Sequence, residues 1–105
     1  MTQVPSFIRS TTVRHVGWIE FNRPPVNAFT RVMVEETHDA IAAALADPEL
    51  RVLVLASAID GYLSAGADLN VFKGITPDGM RQWATRCHDI VRLLRGSLKP
   101  LLQAT

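Results

Sequence analysis

A single cysteine, Cys87, stands in a chain of 105 residues. One thiol excludes an internal disulfide and a cysteine-based zinc site, and cysteine-poor composition fits a reducing, cytoplasmic compartment. An excess of charge is missing too. Nine Arg and two Lys, spread singly, face ten acidic residues, for a net charge of +1. That balance excludes a broad electrostatic pull toward nucleic acid or an anionic membrane. No apolar run approaches the roughly 18 residues of a membrane span. The opening MTQVPSFIRSTTV lacks the apolar core and small-residue cleavage site of a secretory signal, and it lacks transit-peptide character despite Arg9 and Arg14. Internal repeats, low-complexity tracts, phosphate loops and dinucleotide fingerprints are also missing. What remains is ordinary for a globular chain, with 48% hydrophobic and 20% charged residues. Its length is that of one small domain with a modest core.

The patterning predicts α/β architecture in the order β-β-α-β-α-β. SFIRSTTVRHVGWIEFN reads as two short strands, about Phe7–Arg14 and Val16–Asn22, with Ile19 and Phe21 on one face and Trp18 and Glu20 on the other. The prolines of RPPVNAF end the second strand. Thr30 caps a predicted helix to about Ala46, with Met33, Thr37, Ile41, Ala44 and Leu45 at helical spacing. Asp47-Pro48 stops it. VLVLA, Val52 to Ala56, has the uninterrupted apolar pattern of a parallel strand covered on both faces. Thr76-Pro77-Asp78 then opens the clearest helix. Its stripe comprises Met80, Trp83, Cys87, Ile90, Val91 and Leu94, and Gly96 closes it. A last strand is expected over Leu98 to Ala104, parallel to the third through a right-handed crossover.

Most residue types that could carry chemistry have plainer readings. Glu35, Glu36 and Asp39 read as a solvated helix face, since nothing apolar surrounds them to raise a pKa. Cys87 falls on the apolar stripe about 100° from His88, so it reads as a buried structural cysteine. His15 and His38 have no partner at metal-ligand spacing, and no metal is expected. Trp18 and Trp83 read as packing residues. Ser57 and Ser64 lack the glycine elbow of a hydrolase nucleophile.

YLSAGADLN, Tyr62 to Asn70, is different because it is nearly featureless directly after a strand. In an open α/β sheet ligands bind outside the carboxyl ends of strands, where such a segment sits. Small residues let a ligand approach the main chain closely. If Gly66-Ala67-Asp68-Leu69 opens a helical turn, its first N–H groups point outward without partners. Donors of this kind suit a developing negative charge on a substrate oxygen, at roughly 2.7–4 kcal/mol each in a transition state. Geometry alone leaves two readings open, a structural loop and an amide-presenting loop. Asp68 reads as the cap of that turn.

NRPPVNAF, the helix after it, RVLVLAS, YLSAGADL, the amphipathic helix and LKPLLQAT occur in an order and spacing that resembles the N-terminal part of the crotonase superfamily, the enoyl-CoA hydratase/isomerase group. The similarity covers nearly all 105 residues. It implies the ClpP/crotonase-type ββα spiral and an acyl-CoA thioester site, with coenzyme A entering as part of the substrate and no separate cofactor. The resemblance makes the amide of Ala67, after the loop glycine Gly66, one of two oxyanion-hole donors to the thioester oxygen. It assigns Val26, Ala28, Ser64, Ala65, Gly66, Ala67, Asp68 and Leu69 to the lining of the coenzyme A arm. Where relatives often carry a basic residue for a coenzyme A phosphate, this sequence has Asn70, with Lys73 three further on.

The implied chemistry is hydration or isomerisation of an enoyl-CoA, the lyase and isomerase steps of fatty acid metabolism. The family's second oxyanion glycine and its acid/base carboxylates are expected beyond Thr105, as is the helical region that builds trimers and hexamers. Residues 1–105 therefore read as an N-terminal segment of a crotonase-like domain. The alternative is a truncated, non-catalytic chain that binds coenzyme A weakly or associates with complete paralogues.

Overall fold

The computed structural model describes residues 6–104. Met1–Pro5, read above for targeting signals, and Thr105 lie outside the described residues. Strand β1, Ile8–Val13, and strand β2, Val16–Phe21, form an antiparallel hairpin with Val13 opposite Val16. The two turn residues, Arg14 and His15, have φ of 48° and 69°. Two consecutive positive φ values match the twist of the flanking strands. The turn is also fastened from outside, because the Arg51 N–H donates to the His15 carbonyl at 2.8 Å.

Helix α1, Arg31–Ala46, starts where the Thr30 hydroxyl accepts the Met33 N–H at 3.2 Å. Strand β3, Val52–Ser57, pairs parallel to β2, and strand β4, Leu101–Ala104, pairs parallel to β3. Between them runs helix α2, Pro77–Arg95, capped by Thr76, with Pro77 in its first turn and the Gly96 N–H donating to the Arg92 carbonyl. The sheet order is β1-β2-β3-β4. The order of elements is the expected one.

Alternation along β2 turns Gly17, Ile19 and Phe21 toward α1. Ile19, Phe21, Ile41 and Leu53 make the central cluster. Each such side chain contributes about 1.5–3 kcal/mol by leaving water. Gly17 makes room for the end of the Leu50 side chain. A β-carbon there would stand 2.8 Å from Leu50 Cδ1, and Leu50 is buried.

Two boundaries differ from expectation. The last strand begins at Leu101, not Leu98. Ser97 folds the chain into a tight turn, its hydroxyl donating to the Lys99 carbonyl at 2.8 Å and accepting the Lys99 N–H at 3.0 Å. Leu98 at its tip is fully exposed, and Pro100 has no N–H to offer a ladder. The short turn after SAGAD is a 3-10 turn over Leu69–Phe72, so Gly66 and Ala67 precede it and do not open it.

Candidate functional site

In the β2–β3 register Phe21 stands opposite Ser57, so both chains leave the sheet at the same edge. Two loops, residues 22–29 and 58–68, therefore run out side by side. This is the carboxyl end of the parallel pair, where open α/β sheets bind ligands.

One side chain sets the spacing of the loops. Asn27 is fully buried, with φ of 54°, a conformation Asn tolerates better than most residues. Its Oδ1 accepts the Arg23 N–H at 2.7 Å, while Nδ2 donates to Ser57 Oγ at 2.8 Å and to the Leu63 carbonyl at 3.0 Å. Its main chain is engaged too, the N–H donating to the Arg23 carbonyl and the carbonyl accepting from Ser64 Oγ at 2.9 Å. Every polar group of a buried residue is matched, as burial requires. Ser64 Oγ also accepts the Gly66 N–H at 3.0 Å. Its hydroxyl shapes the loop.

Further out the loops join as a one-residue parallel bridge, Phe29 beside Ala67. The Phe29 N–H donates to the Gly66 carbonyl at 2.7 Å, and the Phe29 carbonyl accepts the Asp68 N–H at 2.9 Å. One step earlier the Ala65 N–H donates to the Val26 carbonyl at 2.9 Å. Among the four amides from Ala65 to Asp68, three thus have acceptors. The Ala67 N–H has none among the described residues. In a parallel pair a residue bonds the neighbours of the one beside it, so the Ala67 N–H faces away from Phe29. Gly66 has φ of 104°, which selects glycine, and a β-carbon there would meet nothing within 4 Å.

Asp68 caps the 3-10 turn, its Oδ1 accepting the Asn70 N–H at 2.8 Å, while Oδ2 pairs with Arg23 Nη1 at 2.8 Å. The Asn70 amide, and then Arg23, hold this carboxyl below the usual aspartate range. The capping expected for Asp68 is present. Val26, Ala28, Ala67 and Asp68 are half-buried, while Ser64, Ala65, Gly66 and Leu69 are exposed along the same rim. All eight residues assigned from the sequence thus lie on these two adjoining loops or, for Leu69, at the first residue beyond them. Asn70 and Lys73 are exposed at either end of the 3-10 turn.

Arg23 and Asn27 were not singled out in the sequence. No periodicity marks them, and the available signal was a polar Asn two residues after a proline pair in an otherwise small-residue loop. Glu35 also departs from the solvated-face reading. Helix α2 packs across α1 and delivers Arg86, whose Nε and Nη2 donate to Glu35 at 2.7 and 2.5 Å. Burial pushes the Cys87 thiol up, and His88 beside it is exposed. Trp83 stacks edge-on against Phe72 at 5.8 Å. Among the described residues, no three His, Cys, Asp or Glu side chains cluster as a metal site, and no helix is long and apolar enough to cross a membrane. An open groove of about 640 Å³ lies elsewhere, at the far end of α2, lined by Leu45, Leu93, Leu98 and Lys99.

Comparison with known proteins gives this arrangement a class. Residues 11–104 match the family model for enoyl-CoA hydratase/isomerase. The chain belongs to that family. A similar curated protein is carboxymethylproline synthase of Pectobacterium carotovorum subsp. carotovorum, 29% identical over 79 residues, which is 74% of this chain and 32% of that protein. Among solved structures, Pseudomonas aeruginosa DspI superimposes with a TM-score of 0.84 at 23% identity, over 98% of this chain and 42% of the other. Enoyl-CoA hydratase from Bacillus anthracis does so with a TM-score of 0.84 at 21% identity, over 93% and 39%. These likenesses show the crotonase fold. The chain spans between about a third and two fifths of the length of these relatives.

Proposed function

We propose that this chain forms part of an enzyme acting on an acyl-CoA thioester, with the Ala67 N–H as one donor to the thioester oxygen and hydration or isomerisation of an enoyl-CoA as the reaction. One observation carries the reading. The Ala67 amide is the unengaged donor in a run whose neighbours are all satisfied, and it sits on a rim of small residues at the carboxyl edge of a parallel pair. A preorganised donor needs no reorganisation when charge develops on the substrate oxygen. Backbone at Val26, Ala28 and Ser64 to Leu69 lines the coenzyme A arm in this reading. Coenzyme A arrives as part of the substrate. A cytoplasmic location and homo-oligomers of the full-length form, trimeric or hexameric, belong to the same proposal.

The test is calorimetric binding of acetoacetyl-CoA to the chain, with free coenzyme A as the control. A neutral amide–carbonyl hydrogen bond, at about 0.5–1.5 kcal/mol, corresponds to at most about tenfold tighter binding of the thioester. Ala67→Pro removes the donor and is expected to erase that preference, with the urea midpoint as the control for folding. A preference that survives in folded Ala67→Pro rejects the assignment. Weak binding of both ligands alike by the wild type favours the alternative, a non-catalytic chain that holds coenzyme A loosely.

A further inference from the structure

The peptide unit that carries the Ala67 N–H also carries the Gly66 carbonyl. In a planar trans peptide the two point in opposite directions. Whatever fixes the carbonyl therefore aims the N–H, and here the carbonyl is fixed by the Phe29 N–H at 2.7 Å. A bridge one residue long has no ladder of its own, and the links from Ala65 to Val26 and from Ser64 to Asn27 support it on one side only. The structure supplies a substitute. Arg23 Nη1 donates to the Ala28 carbonyl at 2.8 Å and to Asp68 Oδ2 at 2.8 Å. Ala28 precedes Phe29, and Asp68 follows Ala67. One guanidinium nitrogen thus ties the Ala28 main chain of one loop to the Asp68 side chain of the other, immediately beside the bridge.

We propose that Arg23 is a positioning residue for this site, clasping the two loops so that the Ala67 N–H keeps its direction toward the substrate. The proposal rests on the function proposed above and adds the group that enforces its geometry. The clasp is itself braced. The Arg23 N–H and carbonyl are both held by Asn27, at 2.7 and 2.8 Å, and the guanidinium lies 5.6 Å over the Phe7 ring. Both partners are partly shielded from water, with side chains 26% and 16% exposed. A guanidinium presents several donors in a rigid fork, which suits it to hold a carbonyl and a carboxylate at once. Nη1 alone makes both contacts, so the clasp leaves Nε and Nη2 unused, and a rival role as a cation for a coenzyme A phosphate has to be separated by binding.

The two roles give different binding patterns. Loss of a phosphate contact weakens free coenzyme A and the thioester alike. Loss of the clasp weakens the thioester more than free coenzyme A, because it removes the extra affinity that the Ala67 N–H gives the thioester. Calorimetry with acetoacetyl-CoA and with free coenzyme A on the 105-residue chain therefore decides between them. Arg23→Met is expected to lower the thioester preference by up to about tenfold, with Arg23→Lys retaining part of it. Asp68→Asn, which keeps an oxygen for the Asn70 N–H while removing the charge, is expected to behave like Arg23→Met. An unchanged preference, or parallel weakening of both ligands, overturns the proposal. A wild type without any thioester preference sinks the function assigned to Ala67. In that event the clasp stands or falls on amide exchange of the free chain. Arg23→Met must speed exchange at the Phe29 and Asp68 amides by about tenfold or more while Leu53 is unaffected, and equal rates refute it.

Discussion

Helices α1 and α2 pack on each other but are held by different means, since α1 rests on strands β1 and β2 while α2 rests mainly on α1. Helix α1 sends Met33, Val34, Thr37 and Ile41 into the core, with Met33 and Ile41 fully buried. Helix α2 is longer and the more sharply amphipathic of the two, and none of its residues is fully buried. Met80 and Val91 on its apolar stripe are more than two fifths exposed. It meets α1 partly through Ile90, Leu93 and Leu94 and partly through the Arg86–Glu35 ion pair. The lesson is that amphipathicity measures how much apolar surface a helix offers, whereas stability follows how much of it another surface covers.

The sharpest way to break this comparison is to truncate matched side chains. Ile41→Ala removes atoms from a site with no room to collapse, and a loss of about 2–5 kcal/mol in unfolding free energy is expected. Ile90→Ala, at a half-buried site, should cost about 1 kcal/mol. Urea denaturation measures both. Equal losses would mean that α2 is as firmly part of the core as α1.

The next effect lies between the helices and the site. Asn27→Ala leaves the Arg23 N–H and the Leu63 carbonyl without their partner, at about 1–3 kcal/mol for a buried group so orphaned, while Ser57 Oγ keeps its bonds to Ile59. It also places a β-carbon with no compensating polar group at a positive φ. Asn27→Gly removes the same bonds but tolerates that φ, so it should retain about 1 kcal/mol relative to Asn27→Ala. If the two variants melt together, the backbone there is not strained and the side-chain bonds carry the whole effect.

These sites differ in how visible they are along the chain. The strands, both helices, their caps at Thr30 and Thr76 and the stop at Gly96 follow from local chemistry, because spacing, hydroxyl caps and glycine act within a few residues of themselves. The motif points to Ala67, but its amide is free for a reason other than the one the sequence suggests. A helix start was expected, and the structure has an extended residue bridged to Phe29, 38 positions away in sequence. Long-range pairing leaves no periodic trace. The same holds for Asn27, Arg23 and the Glu35–Arg86 pair, whose partners come from other elements. The register of β4 failed for a local reason, since Ser97 folds back on Lys99 in a way that a KP dipeptide does not advertise.

Lys99 sharpens the comparison from the other side. Its ammonium, from the connection between α2 and β4, donates to the Ala44 and Asp47 carbonyls at the end of α1. Each of these carbonyls also accepts a backbone N–H, from Asp47 and Leu50 respectively, so the ammonium adds a second, charged partner at the negative end of the helix dipole. Lys99→Met should cost about 0.5–1.5 kcal/mol, with faster amide exchange confined to the last turn of α1. Uniform loss across both helices would indicate a global role instead.

The smallest effect is the ion pair between the helices, and it carries a pH signature. Hydrogen bonds from Arg86 hold the Glu35 carboxyl below its ordinary value of 4.5, with the charge of Arg86 adding to them, while desolvation and Asp39 work in the opposite direction. A carboxylate whose folded value is lowered binds its proton less readily when folded than when unfolded. Its stabilisation is therefore fully present above the ordinary glutamate value and is lost as pH falls through the lower, folded value. With side chains 37% and 41% exposed, the pair is screened by water and salt, so its contribution is that of a surface ion pair. Comparing the Tm of the wild type with that of Glu35→Gln at neutral pH should show a small deficit, a few degrees at most. The deficit should close on acidification below the glutamate range and shrink at high salt. A deficit that persists unchanged in acid would mean that Glu35 holds α2 by packing and not by its charge, and the contrast between the two helices would narrow to one of degree.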